Sequence, residues 1–239
     1  KISAEIIDLP ECYSLYPKSI DERIPFQVLC DPDDESHPDH IVVIADASNL
    51  KRSLFLCSQI IDLRIPTVLA LNMIDLAHRK GLDIDTKKLS EKLGIAVIQM
   101  NARKKQGIDD LKNALLNPLP HPESDFTHIK KYSPGITEEI KKVIRVKSDY
   151  AAFQVANNFE WISSAHLTPN KTEKLRKIID GRNFDSKAAQ AKVTMERYEM
   201  ISLLMKEIIS EKAIASGTHV NTKWLDNILT HRVFGYLIF

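Results

Sequence analysis

The 239 residues are 44% hydrophobic and 27% charged, the composition of an ordinary globular protein, and are enough for two domains of common size. A formal net charge of +1 gives no field that would gather polyanions, which excludes a general nucleic-acid binder. Cys12, Cys30 and Cys57 are an odd number without CxxC or Cys/His spacing, which fits a reducing compartment and argues against a disulfide framework or a zinc site.

The chain opens on Lys1 rather than Met and reads as starting inside a domain. Residues 2–7 alternate loosely as a strand and run into a loop at Asp8-Leu9-Pro10. His40 to Ala45, Thr67 to Leu71 and Ile95 to Met100 are short, nearly continuous apolar runs of the kind buried on both faces of a parallel sheet. Helical spacing fills the gaps between them. Leu54, Cys57, Ile60 and Ile61 form one stripe in 50–63; Thr86 to Leu93 is short and amphipathic; Ile108, Leu111 and Leu115 share a face in 108–116. Asp85 is placed to cap the second of these helices and Gly94 to stop it. Alternating strands and helices with short connections predict right-handed crossovers and a mostly parallel α/β sheet up to residue 117.

Asn117-Pro118-Leu119-Pro120-His121-Pro122 admits neither helix nor sheet and marks a boundary. Beyond it the pattern predicts helices over 137–147, 151–157, 170–179 and 186–215. In the last, Met195, Tyr198, Ile201, Met205 and Ile208 recur at three and four, an assignment to packing alone. The predicted organisation is therefore 1–117 α/β, 118–222 a small all-α domain, and 223–239 an amphipathic linker helix leading into an apolar run. That run, Val233 to Phe239, is too short to span a bilayer and reads as the start of a span, with His231 and Arg232 on its cytoplasmic side. His37, His121 and His128 fall in loops, where solvent exposure is expected, and Arg79-Lys80 and Lys104-Lys105 read as a solvated face.

The most specific local signal is Leu71-Asn72-Met73-Ile74-Asp75. An apolar strand runs into Asn-x-x-Asp, which places both polar side chains at the carboxyl edge of the sheet, where α/β folds bind ligands. A carboxylate there can accept from the N1 and N2 hydrogens of guanine while the amide holds the neighbouring loop; adenine presents the wrong donors. The competing reading is a polar strand-to-helix turn.

Taken in order, Ile7-Asp8-Leu9-Pro10, Tyr13 to Ser19, Asp46 to Arg52, Leu71 to Asp75, Asn101-Ala102-Arg103 and Ile228 to Arg232 resemble the cytoplasmic part of the ferrous iron transport protein B family, FeoB. Met73 stands where many small GTPases carry Lys and this family commonly has an apolar residue. The resemblance implies an incomplete P-loop GTPase-like fold, a mostly parallel sheet with flanking helices, followed by a helical regulatory domain. It implies GTP or GDP as ligand, with Asn72 and Asp75 reading the base and the Asn101-Ala102-Arg103 loop offering a backbone N–H to the base oxygen. Asp8 would sit beyond the first ligands of Mg²⁺, acting through water, and residues 12–39 would include the segment that responds to the γ-phosphate. The implied partners are guanine nucleotide, the protein's own membrane domain and Fe²⁺ as cargo, at the cytoplasmic face of the bacterial inner membrane, with a homo-oligomer left open.

Two departures count against activity in this polypeptide. No G-x-x-x-x-G-K-[ST] occurs in the 239 residues, so the backbone N–H cradle and lysine that attract a triphosphate are not provided. Glu11 stands where Asp-x-x-Gly requires Gly, adding bulk and negative charge where a γ-phosphate would approach. The expectation is a piece of a GTPase whose own hydrolysis is negligible; the alternative is a degenerate, non-hydrolysing regulatory or interaction module.

Overall fold

The structure is a computed structural model that describes residues 4–31, 34–122, 125–165 and 167–211. In its first half, α1 (Ile20–Cys30) precedes β1 (Ile41–Asp46), α2 (Leu50–Asp62), β2 (Thr67–Asn72), α3 (Ile74–Arg79), β3 (Leu82–Ile84), α4 (Thr86–Leu93), β4 (Ala96–Gln99) and α5 (Ile108–Leu116). Helices then follow without interruption: α6 (Ile129–Tyr132), α7 (Ile136–Val143), α8 (Asp149–Asn157), α9 (Phe159–Ala165), α10 (Pro169–Gly181) and α11 (Ser186–Ile208), ending in β5 (Ile209–Glu211).

The main sheet is parallel, in the order β1-β2-β4, with Val42 opposite Val68, Ile44 opposite Ala70 and Asp46 opposite Asn72. β2 is central and its first five residues are buried, whereas β1 forms an edge that leaves Ile44 74% exposed. The predicted stripe on α2 is in the core: Leu54, Cys57, Ile60 and Ile61 are all buried, at about 1.5–3 kcal/mol for each fully buried aliphatic side chain. Asp85 caps α4 by accepting from Lys88 N at 2.9 Å, and Gly94 ends it at φ +66. α11 packs across α2, α4, α6 and α8, joining the helical half to the sheet half.

Several expectations change. Residues 4–10 form no strand and Ile6 is 91% exposed; among the described residues no strand pairs with them. α7 stops at Val143, where Ile144 turns extended. The long helix stops at Ile208, since Ile209–Glu211 leave it to pair antiparallel with β3. Its buried line is Ala189, Val193, Arg197, Ile201, Leu204 and Ile208, which leaves Met195 72% exposed instead of packed. The helix expected at 224–232 and the apolar run at 233–239 lie outside the described residues; among those described, no helix is long and apolar enough to cross a membrane.

Candidate functional site

β2 delivers Asn72 to the carboxyl edge of the sheet, and the chain then turns within one residue. Met73 makes that turn at φ +59 and ψ 31, a left-handed conformation that side chains other than Gly, Asn and Asp rarely adopt and that collects at functional sites. Asp75 consequently falls in the first turn of α3, on the same edge as Asn72. From the neighbouring strand, β4, the chain passes into a tight loop. Asn101 N and O pair with Gln106 O and N, and the Asn101 side chain caps the turn by accepting from Lys104 N at 3.1 Å.

The two loops are joined. Asn72 Oδ1 accepts from Ala102 N at 3.1 Å, so the amide expected to hold the neighbouring loop is bonded to the 101–103 turn. Asp75 lies 3.2 Å from Arg79 and 3.8 Å from Lys104. Partial desolvation works to raise its carboxyl, yet a hydrogen bond with Asn101 and the charges of Arg79 and Lys104 outweigh it and hold the group below the usual carboxylate range. Asp75 is thus a fixed anion beside the 101–104 turn. Arg79 and Lys104, which read as solvated surface in the sequence, are its partners, and Lys80 reaches Ser48 Oγ at 3.2 Å.

The structure therefore brings together Asn72, Asp75, Asn101 and Ala102. Arg103 is exposed and belongs to the turn by its place in the chain. Asp8 is exposed in segment 4–10, and among the described residues no three His, Cys, Asp or Glu side chains gather where a metal ion could sit. Asn72, Asp75, Asn101 and Ala102 form one polar edge, and Asp8 lies apart from it in segment 4–10.

Beside this edge, a cavity of about 220 Å³ opens along β1, lined by Glu11–Tyr13, Val43–Asp46, Arg52 and Asn72–Met73 among others. Glu11 accepts a hydrogen bond from the Tyr13 hydroxyl, and the Arg52 guanidinium stacks 3.2 Å above the Tyr13 ring. A carboxylate and a cation thus share one wall. Burial and the neighbouring Glu22 and Glu11 push the Cys12 thiol up to about 11. His121 and His128 are exposed, as their loop positions predict, and His37 is half-buried. His37 contacts Val28 O and His121 contacts Arg64 O, both at 3.0 Å, and His128 meets Glu196 at 3.0 Å.

Residues 1–115 match the family model described as Ferrous iron transport protein B. A Fe(2+) transporter FeoB from Leptospira biflexa is 29% identical over 259 residues, which cover 100% of this chain and 35% of that protein. Another, from Legionella pneumophila (strain Lens), is 30% identical over 245 residues, covering 98% and 31%. The chain thus spans about a third of the length of the curated relatives it matches. Among solved structures, the cytosolic domain of L. pneumophila FeoB superposes with a TM-score of 0.64 at 28% identity, over 85% of this chain and 79% of that one. A GDP-bound mutant of the S. thermophilus FeoB G-domain gives 0.64 at 26%, over 85% and 80%.

Proposed function

The chain belongs to the FeoB family, and on that premise we propose that it is the cytoplasmic, guanine-reading part of a ferrous iron membrane transporter. Its base-reading edge is Asn72, Asp75 and the Asn101-Ala102-Arg103 turn. The observation that carries this reading is the convergence of an ionised Asp75 with the Asn72–Ala102 hydrogen bond at the carboxyl ends of β2 and β4. A fixed carboxylate selects a purine edge with two adjacent donors, which guanine has and adenine lacks. Fe²⁺ is the cargo of the whole transporter, and residues 118–222 are proposed as the helical regulatory domain next to its membrane portion.

The Asn72–Ala102 hydrogen bond joins the two loops, and Arg79 and Lys104 are the partners that a base would replace at Asp75. With no G-x-x-x-x-G-K-[ST] in its 239 residues, the polypeptide gains little from a γ-phosphate. Glu11 on the cavity wall adds repulsion there. Glu11 favours the second reading, a degenerate, non-hydrolysing regulatory or interaction module.

Isothermal titration of the chain with GDP and with ADP tests the proposal. GDP should bind more tightly than ADP, and Asp75→Asn should reduce GDP affinity by about ten- to a hundred-fold, the scale of losing hydrogen bonds to a charged acceptor, while leaving ADP unchanged. Equal affinity for the two nucleotides, or an Asp75→Asn chain that binds GDP as well as the original, overturns it.

A further inference from the structure

A second cavity, of about 100 Å³, opens between α1, the α7–α8 connection and the helices α8 to α10, and shares no lining residue with the cavity along β1. Its floor is apolar and closed: Phe26 from α1, Val146 from the connection, Val155 from α8 and Ile162 from α9 are 2–8% exposed. The Trp161 ring forms one wall, set edge-on to Phe26 at a centroid distance of 5.5 Å, with the Arg23 guanidinium 5.4 Å from its centre. A hollow of about 150 Å³ admits benzene, so this smaller one takes a short aliphatic body. The mouth is different in character. Arg145 and Lys171 line it, with Asp31 as the one carboxylate among the lining residues. Among the described residues neither cation forms an ion pair. Lys171 also stands in the first turn of α10, a 13-residue helix whose N-cap, Thr168, makes no side-chain cap bond and whose first turn holds no acidic residue. A cation thus sits at the positive end of a helix whose leading N–H groups have no acceptor within it, and an anion there relieves both.

We propose that this cavity is a binding site for a short branched aliphatic carboxylate. The hydrocarbon body rests on the floor of Phe26, Val155 and Ile162, and the carboxylate stays at the mouth beside Arg145, Lys171 and the start of α10. Apolar walls that supply contact and a few polar groups that fix orientation are the usual division of labour in small-molecule sites. Here that division selects twice. The floor gives a bare anion nothing to bury, and the mouth gives a neutral body of the same shape no counter-charge. None of these residues belongs to the Asn72–Asp75 edge, so the inference stands whether or not a guanine base is bound there.

Trp161 supplies the probe. Its indole N–H signal in the nuclear magnetic resonance spectrum of the full 239-residue chain, told apart from that of Trp224 by Trp224→Phe, reports whether the cavity is occupied. Isocaproate should shift the signal saturably at neutral pH. Acetate, which has the anion without the body, should leave it in place. Isohexanol, which has the body without the anion, should bind about ten-fold more weakly or less well still, the scale of hydrogen bonds to a charged group. Lys171→Gln should weaken isocaproate by a similar factor and leave isohexanol unchanged. An unmoved signal overturns the proposal, as does a shift by acetate equal to that by isocaproate, equal affinity for the acid and the alcohol, or a Lys171→Gln chain that binds isocaproate as before. Should Lys171→Gln not fold, the three titrations of the unsubstituted chain still decide.

Discussion

Two aspartates of the α/β half, Asp75 and Asp62, are paired in opposite ways. Asp75 meets Arg79 and Lys104 at the exposed carboxyl edge of the sheet, at 3.2 and 3.8 Å. Asp62, at the end of α2, meets Arg197 of α11 at 2.6 Å with both side chains 0% exposed. The first pairing is loose and solvated, so its members can change partners. The second is enclosed: Asp62 also accepts from Phe126 N at 2.5 Å and from Thr127 Oγ1 at 3.0 Å, and Thr127 Oγ1 accepts from Arg197 at 2.9 Å. Burial pushes the Asp62 carboxyl up against the pull of Arg197 and these hydrogen bonds. At the carboxyl edge of the sheet the charges are left exchangeable, and between α2 and α11 they are sealed.

The largest effect is expected from breaking the sealed pair. Arg197→Met leaves Asp62 as a buried carboxylate without its counter-charge, and removing one partner of such a pair typically costs about 3–5 kcal/mol. Chemical denaturation should show that loss, and the Asp62→Leu/Arg197→Met double variant should recover most of it, because no charge is then stranded. A double variant as unstable as the single one would mean that the guanidinium acts chiefly through its stacking on Tyr150 and Phe126.

Arg197 also shows where the sequence becomes hard to read. The helical period of α11 and the C-terminal part of its buried line, Ile201 and Ile208 with Met205 beside them, follow the apolar spacing. Towards its N-terminal end Met195 and Tyr198 are exposed, and the line runs instead through an arginine whose partner lies 135 residues away. The α4 and α5 bounds, 86–93 and 108–116, match the sequence pattern residue for residue, and Asp85 and Gly94 explain the ends of α4 through local chemistry. α1 has no counterpart in the sequence pattern; a Ser19 cap and Glu22, which accepts from Lys18 N at 2.7 Å, start it, and Pro25 lies inside it. The strand expected at 2–7 and the overlong α11 failed in the opposite direction, since strand formation depends on a neighbour that pattern alone does not reveal. At the site, the Asn72 and Asp75 spacing is legible and the Asp75–Arg79 pair is a local contact four residues apart on α3, whereas the contacts with Asn101, Ala102 and Lys104 depend on how the β4 loop returns.

The shape of that loop supplies the next effect in size. Gly107, at φ +79, sits where an added Cβ would run into the carbonyl of Gln99, on the strand that leads into Asn101. Gly107→Ala should therefore cost about 1–3 kcal/mol through backbone strain. Because the displaced backbone carries the Asn101-Ala102-Arg103 turn, titration should also show weakened preference for GDP over ADP. Lost stability with that preference intact would separate the turn from base reading.

The smallest effect is on the exchangeable pair and has the opposite sign. Arg79→Ala frees Asp75 from one competitor while Lys104 and Asn101 still hold it, so GDP affinity should rise about two- to five-fold, the ceiling for a solvent-exposed ion pair. The same variant should raise the Asp75 titration midpoint, read from its carboxyl carbon shift, without restoring an ordinary value. Because the folded carboxyl titrates below its unfolded counterpart, whatever stability it lends is present above the unfolded value, near pH 4. That stability is lost as pH falls through the folded one, and the variant should narrow this window from its lower end. If GDP affinity falls instead, Arg79 contributes to the bound state and the edge gains a cation that the ligand-free geometry assigns to Asp75 alone.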